Sequence, residues 1–258
     1  MKAHVLSLLL FAACGDQAAK PSIALVHGAW ETASAWDAVR ARLTADGYTV
    51  AAIDLPGRPG NPLAPADATL AGYAQAVEAG IADLPRPVVL VGHSFGGFTI
   101  SAVAEAQPAD IQTLVYLAAF VPRDGASVLD LAMTDPASQV GAHLQVDPAA
   151  GLATIDASAG GAVFANDGTP AQQAAVAAAL VPEPLAPLGM PAHVSATLAG
   201  FDKVYIKTLR DQAVTPAAQA AMIGSTTFRA TLELDTGHSP FVTDPDGLTA
   251  AIEHAIER

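Results

Sequence analysis

The chain has 258 residues, which suits one large domain or one domain carrying an insertion. Hydrophobic residues make up 52% and charged residues 14%, and this balance excludes intrinsic disorder, which needs low hydrophobicity and high charge density. Twelve Lys and Arg against 25 Asp and Glu give a formal net charge of −13. Such a surface repels phosphate backbones and polyanionic substrates, so nucleic-acid binding is not expected.

The N-terminal residues are typical of an export signal. A positive start at Lys2 precedes an apolar run from Val5 to Ala13, and Cys14, the single cysteine of the chain, follows directly. The end of the run is similar to a bacterial lipobox, in which the cysteine is diacylated. We therefore expect a lipoprotein signal peptide over residues 1–13, lipidation at Cys14 and a tether over 14–21. The protein would then be lipid-anchored in the bacterial cell envelope, facing the periplasm or the exterior. A buried first strand or helix, and hence a cytoplasmic protein, is the alternative.

Apolar strands alternate with helices along residues 22–258, the predicted domain. Continuous apolar strands of this kind indicate an α/β fold with a mostly parallel sheet that helices cover on both faces. The predicted elements, in chain order, are a strand at Ser22–His27, a helix at Ala33–Asp46, a strand at Tyr48–Leu55, a helix at Asp67–Asp83 with Asp67 as N-cap, a strand at Pro87–Gly92, a helix at Gly96–Gln107, strands at Ile111–Ala119 and Lys203–Leu209, a helix from Pro216, a strand at Phe228–Leu234 and a helix from about Pro245.

One region interrupts the alternation. Residues 122–188 show little strand pattern and one helical stretch, Ala171–Leu180. The proline-rich end of the region, Val181–Pro187, excludes a central strand or a helix interior. Because a structureless loop of this length is unusual inside a compact domain, we expect an inserted lid at about residues 122–190.

The strongest functional motif is Gly92-His93-Ser94-Phe95-Gly96, between a predicted strand and a predicted helix. This is the G-x-S-x-G pattern in the strand–turn–helix setting that exposes a nucleophilic serine at a strained turn. Small residues at Gly92 and Gly96 let Ser94 project its hydroxyl above the edge of the sheet. The sequence therefore predicts Ser94 as a nucleophile.

A serine needs a base, and in this arrangement an acid and then a histidine follow it along the chain at later strand ends. His238 comes soon after the last predicted strand, and Asp211 follows the strand before it. We predict that His238 is the base and that Asp211 orients it, with Asp235 as the alternative acid.

The loop after the first strand, His27-Gly28-Ala29-Trp30, predicts the other half of an oxyanion hole. The two donors would be the N–H groups of Ala29 and Phe95. Gly28 would let the backbone approach the substrate, and Trp30 is expected either to cover the substrate pocket or to pack in the core. His27 and His93 flank the site, and we expect them to support it by hydrogen bonds.

Together these motifs, with Asp54-Leu55-Pro56-Gly57 and Gly237-His238-Ser239-Pro240-Phe241, resemble the alpha/beta-hydrolase superfamily. Within it they are similar to the branch of small esterases related to plant methylesterases and hydroxynitrile lyases. The resemblance covers the chain from about Ser22 to the end, least in the lid. It implies a serine hydrolase without metal or other cofactor, with a lid over an apolar pocket that includes Gly28, Trp30 and His93.

Two departures distinguish this chain within the branch. The lyases carry a lysine directly after the catalytic histidine and a threonine after the histidine of the first loop, where this chain has Ser239 and Gly28. We therefore expect an esterase for small to medium uncharged esters, since Arg123 is the single Arg or Lys between Phe120 and Gly200. Acyl transfer to an alcohol, amide or thioester hydrolysis, and ligand binding with residual hydrolysis remain alternatives. The sequence makes no prediction of oligomeric state.

Overall fold

The computed structural model describes residues 20–257. The predicted signal peptide, the lipidation site Cys14 and most of the tether lie outside these residues and stay predictions. Within residues 20–257, no helix is long and apolar enough to cross a membrane.

The centre of the fold is a six-stranded sheet in which every neighbouring pair is parallel. The strands of the described chain are β1 (Ser22–Val26), β2 (Val50–Ile53), β3 (Val88–His93), β4 (Ile111–Leu117), β5 (Leu144–Asp147), β6 (Leu152–Ile155), β7 (Glu183–Pro184), β8 (Lys203–Thr208) and β9 (Ala230–Leu234). The central order is β2-β1-β3-β4-β8-β9. The α/β fold with a parallel sheet is therefore confirmed.

Helices lie on both faces of this sheet. The helices of the described chain are α1 (Asp37–Ala45), α2 (Leu70–Ile81), α3 (Gly96–Ala106), α4 (Val128–Ala132), α5 (Val140–His143), α6 (Ala157–Phe164), α7 (Pro170–Ala179), α8 (Leu185–Gly189), α9 (Ala196–Ala199), α10 (Pro216–Ile223), α11 (Pro240–Thr243) and α12 (Pro245–Ile256). Alternate residues of each strand point to opposite faces, so the core has two parts. On β3, Leu90 packs with α2 and α3, whereas Val91 packs with α1 and α12.

The parallel register brings the carboxyl ends of the central strands to one edge. Gly92 of β3 pairs with Val26 of β1, and Leu117 of β4 pairs with both His93 and Ile206. The loops after β1, β3, β8 and β9 therefore leave the sheet side by side. Ligands of open α/β folds bind at this edge.

The chain between β4 and β8 contains strands that the sequence pattern did not predict. Within the lid (residues 122–190), β5, β6 and β7 form a small antiparallel sheet, joined by helices α4 to α8. These strands are only two to four residues long, and β5 is mostly exposed, so neither alternation nor a continuous apolar run marks them. The helical stretch predicted at Ala171–Leu180 corresponds to α7.

The prediction of Asp67 as the N-cap of the second helix is wrong. Asp67 lies in a short 3-10 turn, and α2 begins three residues later. Thr69 is the N-cap, and its side chain accepts a hydrogen bond from the Gly72 N–H. Both residue types favour N-caps, so composition alone did not distinguish them.

Candidate active site

Ser94 lies in a sharp turn between β3 and α3. Its φ is +52°, in the left-handed region that non-glycine residues rarely adopt. The flanking glycines are required because a Cβ on Gly92 would lie 2.6 Å from the Gly96 carbonyl oxygen, and one on Gly96 would lie 2.8 Å from the Val26 carbonyl oxygen. The turn is therefore the strained, closely packed one that the motif predicted, and Ser94 is 7% exposed.

His238 and Asp211 are brought together across 27 residues of sequence. His238 Nδ1 lies 2.8 Å from Asp211 Oδ2, and both side chains are buried. The same carboxylate accepts hydrogen bonds from the Thr208 hydroxyl and from the N–H groups of Ala213 and Val214, which fix its orientation. Because this carboxylate is an acceptor, the Nδ1 of His238 carries a proton and its Nε2 is the nitrogen available to act as a base.

The alternative acid, Asp235, does not contact this histidine. Its carboxylate pairs with Arg210 at 3.0 Å and is 78% exposed. The geometry therefore places Asp211, and not Asp235, beside His238.

The electrostatics of the site raise the pKa of His238. Burial lowers the pKa of this imidazole, but the charge of Asp211, its hydrogen bond and the charge of Glu31 outweigh burial, so the pKa lies above its ordinary value of 6.5. Stabilising the imidazolium is what a base requires when it takes a proton from a hydroxyl.

Two cavities meet at Ser94 and His238. The larger has a volume of about 220 Å³, and the smaller of about 50 Å³. Both are also lined by Trp30 and by Phe164 of the lid. The Ser94 hydroxyl makes no hydrogen bond to any of residues 20–257, so it is open to a molecule in either cavity.

The predicted oxyanion donors have no acceptor among the described residues. Neither the Ala29 N–H nor the Phe95 N–H donates to a protein group there, although the neighbouring amides of Gly28 and Ser94 do. Ala29 lines the larger cavity, and Phe95 is the N-cap of α3. Unpaired N–H groups beside a nucleophile are what a developing oxyanion needs.

Glu31 lies against the site, although no sequence motif indicated it. Glu31 Oε2 is 2.9 Å from His93 Nδ1 and accepts the Gly28 N–H at 2.8 Å. Burial raises the pKa of Glu31, but the His93 ring and these hydrogen bonds outweigh burial and lower it to about 2. The other ring nitrogen of His93 lies 2.9 Å from the backbone oxygen of His238. Each ring nitrogen of His93 therefore faces an oxygen atom, and the ring links Glu31 to the backbone of His238.

The three tentative pocket residues have different positions. Trp30 lines both cavities, whereas Gly28 and His93 are buried behind the cavity wall. A Cβ on Gly28 would lie 2.9 Å from Ser94 Cβ, so this glycine allows the loop to approach the nucleophile rather than the substrate. His93 bridges Glu31 and the backbone of His238, which is the support predicted for it.

His27 also supports the first loop. Burial, with a smaller contribution from the charge of Arg58, lowers the pKa of His27 to about 4, so the ring is neutral. Its Nε2 accepts the Leu55 N–H at 3.1 Å, which leaves Nδ1–H to donate to the Gly28 carbonyl at 2.8 Å. Among residues 20–257, no group of three or more acidic, histidine or cysteine side chains is arranged to hold a metal ion.

Known proteins share both the sequence pattern and the fold. Three chloroplastic methylesterase-like proteins of Arabidopsis thaliana are 30% identical to the chain over 237 to 241 residues, 87% of this chain. The chain spans only 53% to 61% of their length. Methylesterase 17 of the same plant is 27% identical over 248 residues, with 87% of both proteins covered.

Among solved structures, a pyrethroid hydrolase from Sphingobium faniae JZ-2 superposes with a TM-score of 0.78 at 26% identity, over 92% of this chain and 97% of the other. The resemblance to the methylesterase branch is thus confirmed. The model of the alpha/beta hydrolase family matches residues 23–251. The chain therefore belongs to the alpha/beta hydrolase family.

Proposed function

We propose that the protein is a serine carboxylesterase that cleaves small to medium uncharged esters through an acyl-enzyme. The observation that carries this proposal is that Ser94, at a positive φ, and His238, hydrogen-bonded to Asp211, line one cavity. Two N–H groups without acceptors accompany them: that of Ala29, which lines the same cavity, and that of Phe95, which follows Ser94. The names of the methylesterase and pyrethroid hydrolase relatives agree with ester hydrolysis.

Each group has one role in the proposed reaction. His238 Nε2 takes the hydroxyl proton of Ser94 as the oxygen attacks the ester carbonyl, and Asp211 stabilises the imidazolium that forms. The N–H groups of Ala29 and Phe95 hold the oxyanion of the tetrahedral intermediate. His238 then gives its proton to the departing alkoxide, and water repeats the two steps on the acyl-enzyme.

The walls of the larger cavity support an uncharged substrate. They are mostly apolar, with Phe164, Val176, Leu180 and Phe241 among them. The one acidic side chain there is Glu31, which is ionised because its pKa is about 2. A carboxylate group on the substrate would be repelled by it, whereas a neutral ester is not.

Hydrolysis of p-nitrophenyl acetate, butyrate and octanoate by the full chain tests the proposal. We expect turnover of the shorter esters, a lower kcat/KM for octanoate, and loss of nearly all activity in Ser94→Ala. Ser34→Ala is the matched control, because Ser34 lines the same cavity and has no proposed role. Equal, negligible rates from folded wild type and Ser94→Ala would refute the esterase proposal.

A further inference from the structure

Trp30 is strained and is held by the lid. Its φ is +60°, a conformation that costs a bulky residue about 1–3 kcal/mol and persists only when its surroundings impose it. Its N–H donates to Glu183 Oε2 at 3.0 Å, its carbonyl accepts the Val181 N–H at 2.9 Å, and its indole N–H donates to the Ala153 carbonyl at 3.2 Å. All three partners belong to the lid, so these hydrogen bonds set the conformation of Trp30.

Glu183 is the one partner that is charged and entirely buried. It lies in β7, where it pairs with Ala153 of β6, and its carboxylate is 0% exposed. Arg58, also entirely buried, forms a salt bridge with it, and the Tyr73 hydroxyl donates to its other oxygen at 3.0 Å. Burial raises the pKa of Glu183, which the nearby Arg58 charge opposes.

A buried ion pair is a costly way to stabilise a fold. Replacing such a pair with apolar residues of similar size is often neutral or stabilising, so the pair is weak evidence of a stability role. What an apolar pair at Arg58 and Glu183 would lack is an acceptor for the Trp30 N–H. This N–H belongs to the residue directly after Ala29, the oxyanion donor in the proposed function.

We propose that Glu183 is a positioning residue: by accepting the Trp30 N–H, it holds the Ala29 N–H in place, so that the lid fixes half of the oxyanion hole. This inference rests on the proposed function for the role of Ala29. Glu183 itself lines neither cavity and touches no reacting atom. Its effect therefore acts through Trp30.

Two double variants separate the hydrogen bond from the ion pair. Both carry Arg58→Met, so both lack the buried cation and the hydrogen bonds that Arg58 donates. In Arg58→Met/Glu183→Gln, the new amide oxygen still accepts the Trp30 N–H, and its NH₂ group can donate to the Tyr73 hydroxyl. In Arg58→Met/Glu183→Met, a side chain of similar length offers no such acceptor.

We expect the glutamine variant to keep its kcat within about threefold of wild type and the methionine variant to lose about 10- to 100-fold in kcat with little change in KM. A stability role alone would move both variants together. Equal kcat values for the two variants, whether high or low, would overturn the inference.

Amide hydrogen exchange gives a readout that does not depend on catalysis. In the wild-type chain, the Trp30 amide should exchange at least about 100-fold more slowly than the Ala29 amide, because only Trp30 has an acceptor. The methionine variant should lose this difference and the glutamine variant should keep it. Equal exchange at Trp30 and Ala29 in the wild type would overturn the inference without any variant. Should the wild type hydrolyse no ester, the proposed function fails, while the exchange data still decide whether Glu183 holds the loop.

Discussion

Gly28→Ala perturbs the contact between the first loop and the nucleophile. The added Cβ would lie 2.9 Å from Ser94 Cβ, 3.0 Å from His93 Nδ1 and 3.2 Å from Glu31 Oε2. Ordinary contact begins near 3.4 Å, so the closest approach is too short by about 0.5 Å. Ser94 Cβ is attached directly to the backbone of the turn, and no side-chain rotation moves it away. The loop and the nucleophile must therefore separate.

This separation should reduce both catalysis and stability. A misplacement of 1 Å can cost about 100-fold in rate, so a shift of half that distance should lower kcat by about tenfold or more. The overpacking itself should cost about 1–3 kcal/mol of unfolding free energy. Steady-state hydrolysis of p-nitrophenyl butyrate measures the first quantity, and urea unfolding measures the second.

Gly141→Ala is the matched control for this substitution. Gly141 lies in α5 of the lid, where an added Cβ meets nothing within 4 Å, so alanine should keep wild-type activity and stabilise the helix by about 0.5–1 kcal/mol. If Gly28→Ala kept wild-type kcat and stability, the close packing of the first loop on Ser94 would not be the reason for glycine at this position.

Two further predictions concern the acid and the base. Asp211→Asn should leave the fold intact and lower kcat by up to about 10⁴-fold, whereas Asp235→Asn should have little effect on kcat. A lower kcat in Asp235→Asn than in Asp211→Asn would refute the assignment of Asp211 as the acid. The acidic limb of kcat/KM against pH should report a His238 pKa above 6.5, because the base acts only when unprotonated. The negative charge of Glu31 raises the His238 pKa, so Glu31→Gln should lower this pKa and move the acidic limb to lower pH. Glu233→Gln, which removes a charge at an exposed position, should leave the limb where it is. An unmoved limb in Glu31→Gln would contradict the coupling between Glu31 and His238.

The positions of Ser94, Asp211 and His238 were predictable because each follows a strand of one parallel sheet. Parallel pairing places the carboxyl ends of neighbouring strands at one edge, so residues after three different strands converge whatever their separation in sequence. A motif that specifies strand, turn and helix then fixes which residue of the first loop is exposed. The sequence contained both kinds of information.

The acidic residues that support the site, Glu31 and Glu183, were not predictable in the same way. Glu31 contacts His93 across 62 residues and Glu183 contacts Trp30 across 153, and no periodicity or spacing relates these pairs. The lid strands that carry Glu183 are too short to show a pattern, since packing against the rest of the domain stabilises them. Buried polar contacts of this kind depend on the tertiary structure that brings the segments together.

The two strained residues of the site lie next to its two unpaired N–H groups. Trp30 and Ser94 both have positive φ, and hydrogen bonds hold both the N–H and the carbonyl of each residue. The partners are Glu183 and Val181 for Trp30, and the Leu117 carbonyl and the Phe120 N–H for Ser94. A turn to positive φ takes the adjoining peptide out of the direction of the strand that precedes it. The Phe95 N–H lies in the peptide that follows Ser94, and the Ala29 N–H lies one peptide before the peptide that joins Ala29 to Trp30; neither N–H has an acceptor among residues 20–257. Two strained residues that are held by long-range hydrogen bonds thus lie next to two unused donors, and oxyanion stabilisation depends on such unused donors near the nucleophile.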